Sequence, residues 1–204
     1  MPAPVRRLLD CVAQDNDGDL LRRYPGACHI AARTLADPHR LLLCELHPRD
    51  HQALTRHFAR ARNVRVVCED GYSLLKSELP PKETRAVTLI DPAYELRDEP
   101  TTLLDGLRAA FERFRHGTYV LWYPLTGKLD HARLLHEFVR LTPPKTLQLE
   151  LNPQQDSQSG AVASGLLIVN PPFAAVEALA ASLSYLRTVL APRGISRFDW
   201  LVPE

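Results

Sequence analysis

An apolar, strand-length run, Ala86-Val87-Thr88-Leu89-Ile90, ends directly in Asp91-Pro92-Ala93-Tyr94. One tight turn therefore carries a carboxylate, a proline carbonyl and an aromatic ring. Those are the parts needed to handle the exocyclic amine of a nucleobase, whose nitrogen is a poor nucleophile because its lone pair is delocalised into the ring. Two oxygen acceptors, the Asp91 carboxylate and the Pro92 carbonyl, can hold the two amine hydrogens and draw the nitrogen toward tetrahedral geometry. Asp91 can then take the released proton while Tyr94 stacks on the face of the base. Asp and Pro are also common in ordinary strand-ending turns. The tetrapeptide gains weight from its place in the chain, two strands beyond Glu45 and one beyond Asp70-Gly71.

Glu45 follows the run Leu41 to Cys44, where an acid can accept hydrogen bonds from both hydroxyls of a ribose. A solvated Glu favouring the dipole of a helix begun by Pro48 accounts for it equally well. Asp70-Gly71 follows Val64 to Cys68. Gly permits close backbone approach to a ligand and Asp can accept from an adenine amine, but Asp70 is also placed to cap a helix starting at Gly71. The two roles are compatible.

The elements that must position these residues alternate. Strand-like runs occur at 41–46, 64–68, 86–90, 118–123, 145–151 and 165–170, and helical periodicities at 25–35, 48–61, 71–79, 101–114, 130–142 and 174–190. Continuous apolarity marks strands covered on both faces, and the alternation predicts an α/β fold with a doubly wound, mostly parallel sheet. In such sheets ligands bind at the carboxyl ends of strands, where Glu45, Asp70 and Asp91 all fall. The polar stretch from Asn152 to Ser164 reads as a mobile loop.

The 204 residues fit a single domain. With 25 basic and 24 acidic residues, no global field points to a polyanionic partner. Four cysteines without CxxC spacing suit a reducing compartment, and neither a leader-like apolar run nor a stretch of ~20 apolar residues stands out. The expectation is a soluble, cytoplasmic, monomeric protein with no membrane and no metal partner. His47 and His51 lie four apart on a predicted helix but lack a third ligand. Trp122 and Tyr123 read as core, and Asn170-Pro171-Pro172-Phe173 has the form of the same catalytic pattern but follows the last sheet strand, so Asp91 is preferred to it. Arg6, Arg7, Arg22 and Arg23 form one basic group, Arg56, Arg60, Arg62 and Arg65 another. Each is either a solvated face or a contact to RNA phosphates.

Taken together, Arg23-Tyr24-Pro25-Gly26, Glu45-Leu46-His47-Pro48, Asp70-Gly71, Leu89-Ile90-Asp91-Pro92, Gly117-Thr118-Tyr119, Leu121-Trp122-Tyr123-Pro124, Ala163-Ser164-Gly165, Val169-Asn170-Pro171-Pro172 and the closing Trp200 to Glu204 resemble, in order, the bacterial 23S rRNA adenine-N6 methyltransferases once described as involved in catabolism of external DNA. The resemblance runs from about Arg22 to the C-terminus. It implies a Rossmann-like class I methyltransferase fold, S-adenosylmethionine as cofactor and 23S rRNA as partner. It assigns Glu45 to the cofactor ribose, Asp70 and Gly71 to its adenine, and Asp91, Pro92 and Tyr94 to catalysis. Ala27 stands where the family has a cofactor-contacting Ser, so only backbone atoms serve there. Ala93 replaces a second Pro and loosens the turn. The family's first strand and Asp-x-His-Ala-Gly-x-Gly loop have no counterpart here. The expectation is that residues 1–22 are the remainder of a helical insertion and residues 23–204 the methyltransferase domain, with apolar strand edges left uncovered. A catalytically silent RNA-binding remnant and a DNA amino-methyltransferase are the competing readings.

Overall fold

The computed structural model describes residues 1–18, 20–35, 38–125, 129–153 and 163–203. Contacts gather the chain into two compact units, Ala3–Leu74 and Leu75–Glu204. The residues expected to form a mobile loop lie largely outside the described set.

In the first unit, helices α1 (Ala3–Ala13) and α2 (Ala27–Thr34) are joined by one arginine. Arg33 donates from Nη1 and Nη2 to the two carboxylate oxygens of Asp15, at 2.9 and 2.5 Å, and from Nη1 to the Cys11 carbonyl at 2.8 Å. This fork satisfies a helix-terminal carbonyl and a charge together. The connection is pinned by Asn16, whose side chain accepts from the amides of Arg22 and Arg23 and donates to the Arg23 carbonyl at 2.7 Å. Strands β1 (Leu41–Cys44) and β2 (Val64–Val67) then pair in parallel across helix α3 (Pro48–His57). Pro48 sits in the first turn of α3, where its missing N–H has no intrahelical partner to lose. Leu43, Phe58 and Val67 supply buried apolar surface to this βαβ unit.

Helix α4 (Gly71–Ser77) leads into the second unit, which contains β3 (Val87–Ile90), α5 (Glu99–Arg113), β4 (Thr118–Pro124), α6 (His131–Arg140), β5 (Thr146–Asn152), β6 (Ser164–Val169), α7 (Phe173–Leu190) and β7 (Ile195–Val202). Its sheet has the order β3-β4-β6-β5-β7. One face carries the edge-to-face aromatic series Tyr119, Phe111 and Phe138, contributed by β4, α5 and α6. Elsewhere Leu147, Leu149, Ile168 and Leu183 form a core cluster with Leu179 of α7 and Phe198 of β7 packed against it. Each such fully buried side chain contributes about 1.5–3 kcal/mol relative to exposure.

The α/β class agrees with the sequence reading, while the pairing directions differ from a mostly parallel sheet. β1·β2 and β3·β4 are parallel, but β4·β6, β5·β6 and β5·β7 are antiparallel. Continuous apolarity predicts only that both faces are covered, which β4, β5 and β6 approach and β1 and β3 do not. It does not report direction, and a return from β5 to its neighbour β6 needs no crossover helix. β7 was not anticipated. Among the described residues β1 and β3 are terminal strands of their sheets, with Leu42, Val87 and Leu89 exposed. One described helix, α7, is long and apolar enough to cross a membrane by length and composition, which the sequence reading did not single out. Leu179 and Leu183 nevertheless pack it on the sheet.

Gly165 marks the closest approach within the sheet. It lies opposite Tyr123 in register, and a Cβ there would fall 2.1 Å from the Tyr123 ring. That ring is fully buried, and its hydroxyl is held by Glu150 and Gln148 at 2.8 and 3.1 Å.

Candidate active site

The turn expected from sequence to carry catalysis leaves the carboxyl end of β3. Ile90 is buried and pairs with Leu121, Pro92 is buried behind the turn, and Asp91 and Ala93 are exposed. Although Asp91 reaches solvent, the protein crowded around it disfavours the charged form and raises its carboxyl above the ordinary aspartate range. Tyr94 adopts a left-handed backbone, φ 54°, a conformation that costs a non-glycine residue about 1–3 kcal/mol and persists only where its surroundings hold it. The holding contacts are visible. The Tyr94 hydroxyl donates to the Trp122 carbonyl on β4 at 2.8 Å, and the next amide, of Glu95, donates to Glu99 Oε2 at 3.0 Å. Burial, with Glu99 and Asp91 nearby, pushes the phenol well above its usual pKa, so it remains a donor. The ring is half-buried and tilted 51° to Trp122 at 6.1 Å.

The left-handed residue and the Tyr94–Trp122 tie are features that sequence did not reveal. Tyr123 is fully buried, and Trp122 only partly.

The rival Asn170-Pro171-Pro172-Phe173 turn has different work. Asn170 follows β6, which runs antiparallel to β4 and pairs Val169 with Tyr119, near the start of β4. It therefore sits at the opposite end of the sheet from Asp91. Its amide nitrogen donates to the carbonyls of Arg115 and Gly117, both at 2.9 Å, and its carbonyl accepts from Thr118 Oγ1 at 2.9 Å. The Asn170 side chain is thus spent on closing the α5–β4 turn.

The proposed cofactor residues all belong to the first unit. Glu45 is half-buried at the end of β1. Its Oε1 accepts from the His47 amide at 2.8 Å, and among the described residues Oε2 makes no hydrogen bond. Asp70 caps α4: Oδ2 accepts from the amide and hydroxyl of Ser73 at 2.9 and 2.8 Å, and Oδ1 from the Tyr72 amide at 3.3 Å. The capping role is therefore present, and a carboxylate with about four acceptor positions retains capacity for a ligand. At Gly71 a Cβ would meet only the Cys44 sulfur, at 3.8 Å, so nothing in the protein itself requires glycine. Ala27 is the exposed first residue of α2, and its cap, Gly26, makes no side-chain hydrogen bond to the helix. The His29 and Ile30 amides donate to the Gly26 carbonyl at 3.0 and 3.1 Å, which leaves the Ala27 and Cys28 amides as the ones without an intrahelical partner.

This donor set fits an S-adenosyl group. It offers an open carboxylate oxygen for a diol, an acceptor beside an unobstructed glycine for an adenine edge, and backbone amides where a serine is absent.

The metal-ligand candidates find other partners. His47 Nδ1 lies 3.4 Å from Asp50, and His51 Nε2 lies 3.3 Å from the Thr55 hydroxyl. Among the described residues no cluster of three metal-ligating side chains occurs.

Comparison with known proteins identifies the family. Residues 1–202 match the family model described as ribosomal RNA large subunit methyltransferase D, RlmJ. The chain belongs to this family. The match includes residues 1–21, which the motif resemblance had not reached. Ribosomal RNA large subunit methyltransferase J of Haemophilus influenzae is 36% identical over 208 residues, covering 100% of this chain and 74% of the relative. The Escherichia coli protein of the same name is 34% identical, again over 100% and 74%. The crystal structure of Legionella pneumophila protein LPL1258 superposes with a TM-score of 0.89 at 29% identity, covering 98% of this chain and 75% of that one. The fold is that of the Rossmann-like methyltransferases.

Proposed function

We propose that this protein methylates the N6 amine of an adenine in 23S rRNA, with S-adenosylmethionine as donor. The observation that carries the reading is the turn after β3. Asp91 is exposed at the carboxyl end of a parallel strand, Pro92 is buried behind it, and Tyr94 is fixed to β4 in a left-handed conformation. Membership of an rRNA methyltransferase family supports the substrate class.

The bound cofactor supplies an electrophilic methyl group on sulfonium sulfur. Glu45, through Oε2, holds the ribose diol. Asp70 and the Gly71 backbone meet the cofactor's adenine, and the Ala27 amide stands in for the missing serine. In the second unit the Asp91 carboxylate and the Pro92 carbonyl accept the two hydrogens of the target amine and localise its lone pair on nitrogen. Asp91 would accept the proton released as the N–C bond forms and the donor's C–S bond breaks, leaving a neutral thioether. The ring of Tyr94, locked through its own hydroxyl, offers a face to the base without losing rotational freedom on binding. The adenine must be unpaired or flipped out of its stack to reach this turn.

The test is transfer of labelled methyl from S-adenosylmethionine to protein-free 23S rRNA, with double-stranded DNA in parallel, followed by nucleoside analysis. N6-methyladenosine in the RNA arm alone supports the reading. Label only in DNA, or in neither, overturns it.

A further inference from the structure

The first unit holds a recess of about 380 Å3, lined by Asp15, Arg23, Tyr24, Pro25, Gly26, His29, Arg33 and His57. None of the residues assigned above to the cofactor or to catalysis lines it. We propose that this recess seats a backbone phosphate of the RNA substrate on Arg23, with the adjoining base stacked on Tyr24; the proposal rests on the rRNA reading and extends it to a second contact.

Charge accounting supports an anion. Asp15 is the one carboxylate in the lining, and both of its oxygens are taken by Arg33, which holds it below the ordinary aspartate range. That pair neutralises itself. Arg23 remains: its charge helps lower the Asp15 carboxyl, but among the described residues its guanidinium makes no hydrogen bond or ion pair. Its backbone is meanwhile fixed at both amide and carbonyl by Asn16. A cation on an immobilised backbone with an uncommitted head is arranged for a ligand rather than for the fold. Arg presents a planar fork that matches phosphate oxygens.

His29 and His57 complete the wall, their rings edge to face at 4.2 Å. Burial and the neighbouring His57 favour the neutral form of His29. A neutral His29 still donates one N–H to a phosphate.

Tyr24 stands beside this cation and is 64% exposed. Unpaired RNA bases stack on such aromatic faces with little sequence preference, which suits a contact flanking the target adenine. In the second arginine group read from sequence, one member is already occupied. Arg56 is engaged by Gln52 of its own helix, through the carbonyl and Oε1, both at 3.3 Å.

The experiment is fluorescence anisotropy of a 12-nucleotide single-stranded RNA containing adenine, titrated with the full chain without cofactor at several salt concentrations. Arg23→Ala should lower the slope of log affinity against log salt by about 0.7, the value for one phosphate on a single strand. Tyr24→Ala should weaken binding about fivefold or more. Arg193→Ala, an exposed arginine of the other unit, serves as the charge-matched control. Melting temperatures of all variants should match the wild type, since neither side chain is hydrogen-bonded to the fold. Arg23→Ala behaving like Arg193→Ala overturns the phosphate seat, and full affinity in Tyr24→Ala overturns the stacking. Because the readout is affinity, this result is separable from failure of methyl transfer.

Discussion

Replacing Gly165 by Ala should be among the most damaging single-methyl changes available in the second unit. The added Cβ would lie 2.1, 2.4 and 2.6 Å from three atoms of the Tyr123 ring, all inside any permissible contact. The ring is 0% exposed, and its hydroxyl is tied to Glu150 and Gln148, with Gln148 itself only 3% exposed. Retreat of the ring therefore strains the packing, by about 1–3 kcal/mol. It also leaves buried polar groups without partners, at about 1–3 kcal/mol more. A total of roughly 2–6 kcal/mol corresponds to a fall in Tm of about 4–24 °C for a chain of this size. Urea denaturation monitored by circular dichroism measures the loss. A double-mutant cycle with Tyr123→Leu isolates its cause, because once the ring is gone the alanine methyl has space. The coupling should then reach about 2 kcal/mol or more. Additive losses, or a Gly165→Ala variant as stable as the wild type, would refute the argument. The consequence reaches function, since Tyr123 adjoins Trp122, whose carbonyl anchors Tyr94.

Gly71→Ala should behave in the opposite sense: with only the Cys44 sulfur at 3.8 Å, the fold accepts the methyl and gains about 0.4–1 kcal/mol, whereas methyl transfer at limiting S-adenosylmethionine falls at least fivefold. Unchanged transfer would show that no ligand approaches that backbone. Tyr94→Phe removes the hydrogen bond to the Trp122 carbonyl and should cost about 0.5–1.5 kcal/mol by thermal melting, with a larger proportional loss of kcat than of RNA affinity. An unaltered kcat would mean that the left-handed turn needs no such anchor. For Asp91 the sign is set by its raised carboxyl pKa: the fold disfavours the charged form, so stability present below that pKa is lost as pH rises through it. Asp91→Asn should therefore melt no lower than the wild type at neutral pH, and the difference should vanish on acidification; a lower Tm at neutral pH would contradict this.

Much of this was legible in the residues themselves. The run Val87–Ile90 read correctly as a strand, and its abrupt end in Asp91-Pro92 marked where the turn lies; its expected cover on both faces is absent, since Val87 and Leu89 are exposed. Pro48 and Asp70 announced helix starts through the chemistry of unsatisfied amides, and both stand at the helix termini predicted. Strand direction was not legible, because Leu166 to Val169 look equally apolar running either way. β7 escaped notice because Arg197 and Asp199 interrupt Phe198, Trp200 and Val202. That alternation is the mark of a half-covered strand, and reading it at period two would have found the element. The tie between Tyr94 and Trp122 spans 28 residues and joins a hydroxyl to a backbone carbonyl, which carries no sequence signature. The same holds for the recess at Arg23, assembled from a turn and two helices whose contact depends on tertiary packing.

The central claim is that one carboxylate accepts the amine proton. Its most direct test is the initial rate of N6-methyladenosine formation in 23S rRNA by wild type and by Asp91→Asn, at equal RNA saturation. Loss of a positioned general base predicts a rate reduced about 100-fold or more, with RNA affinity retained. An Asp91→Asn enzyme that methylates at the wild-type rate would contradict the account.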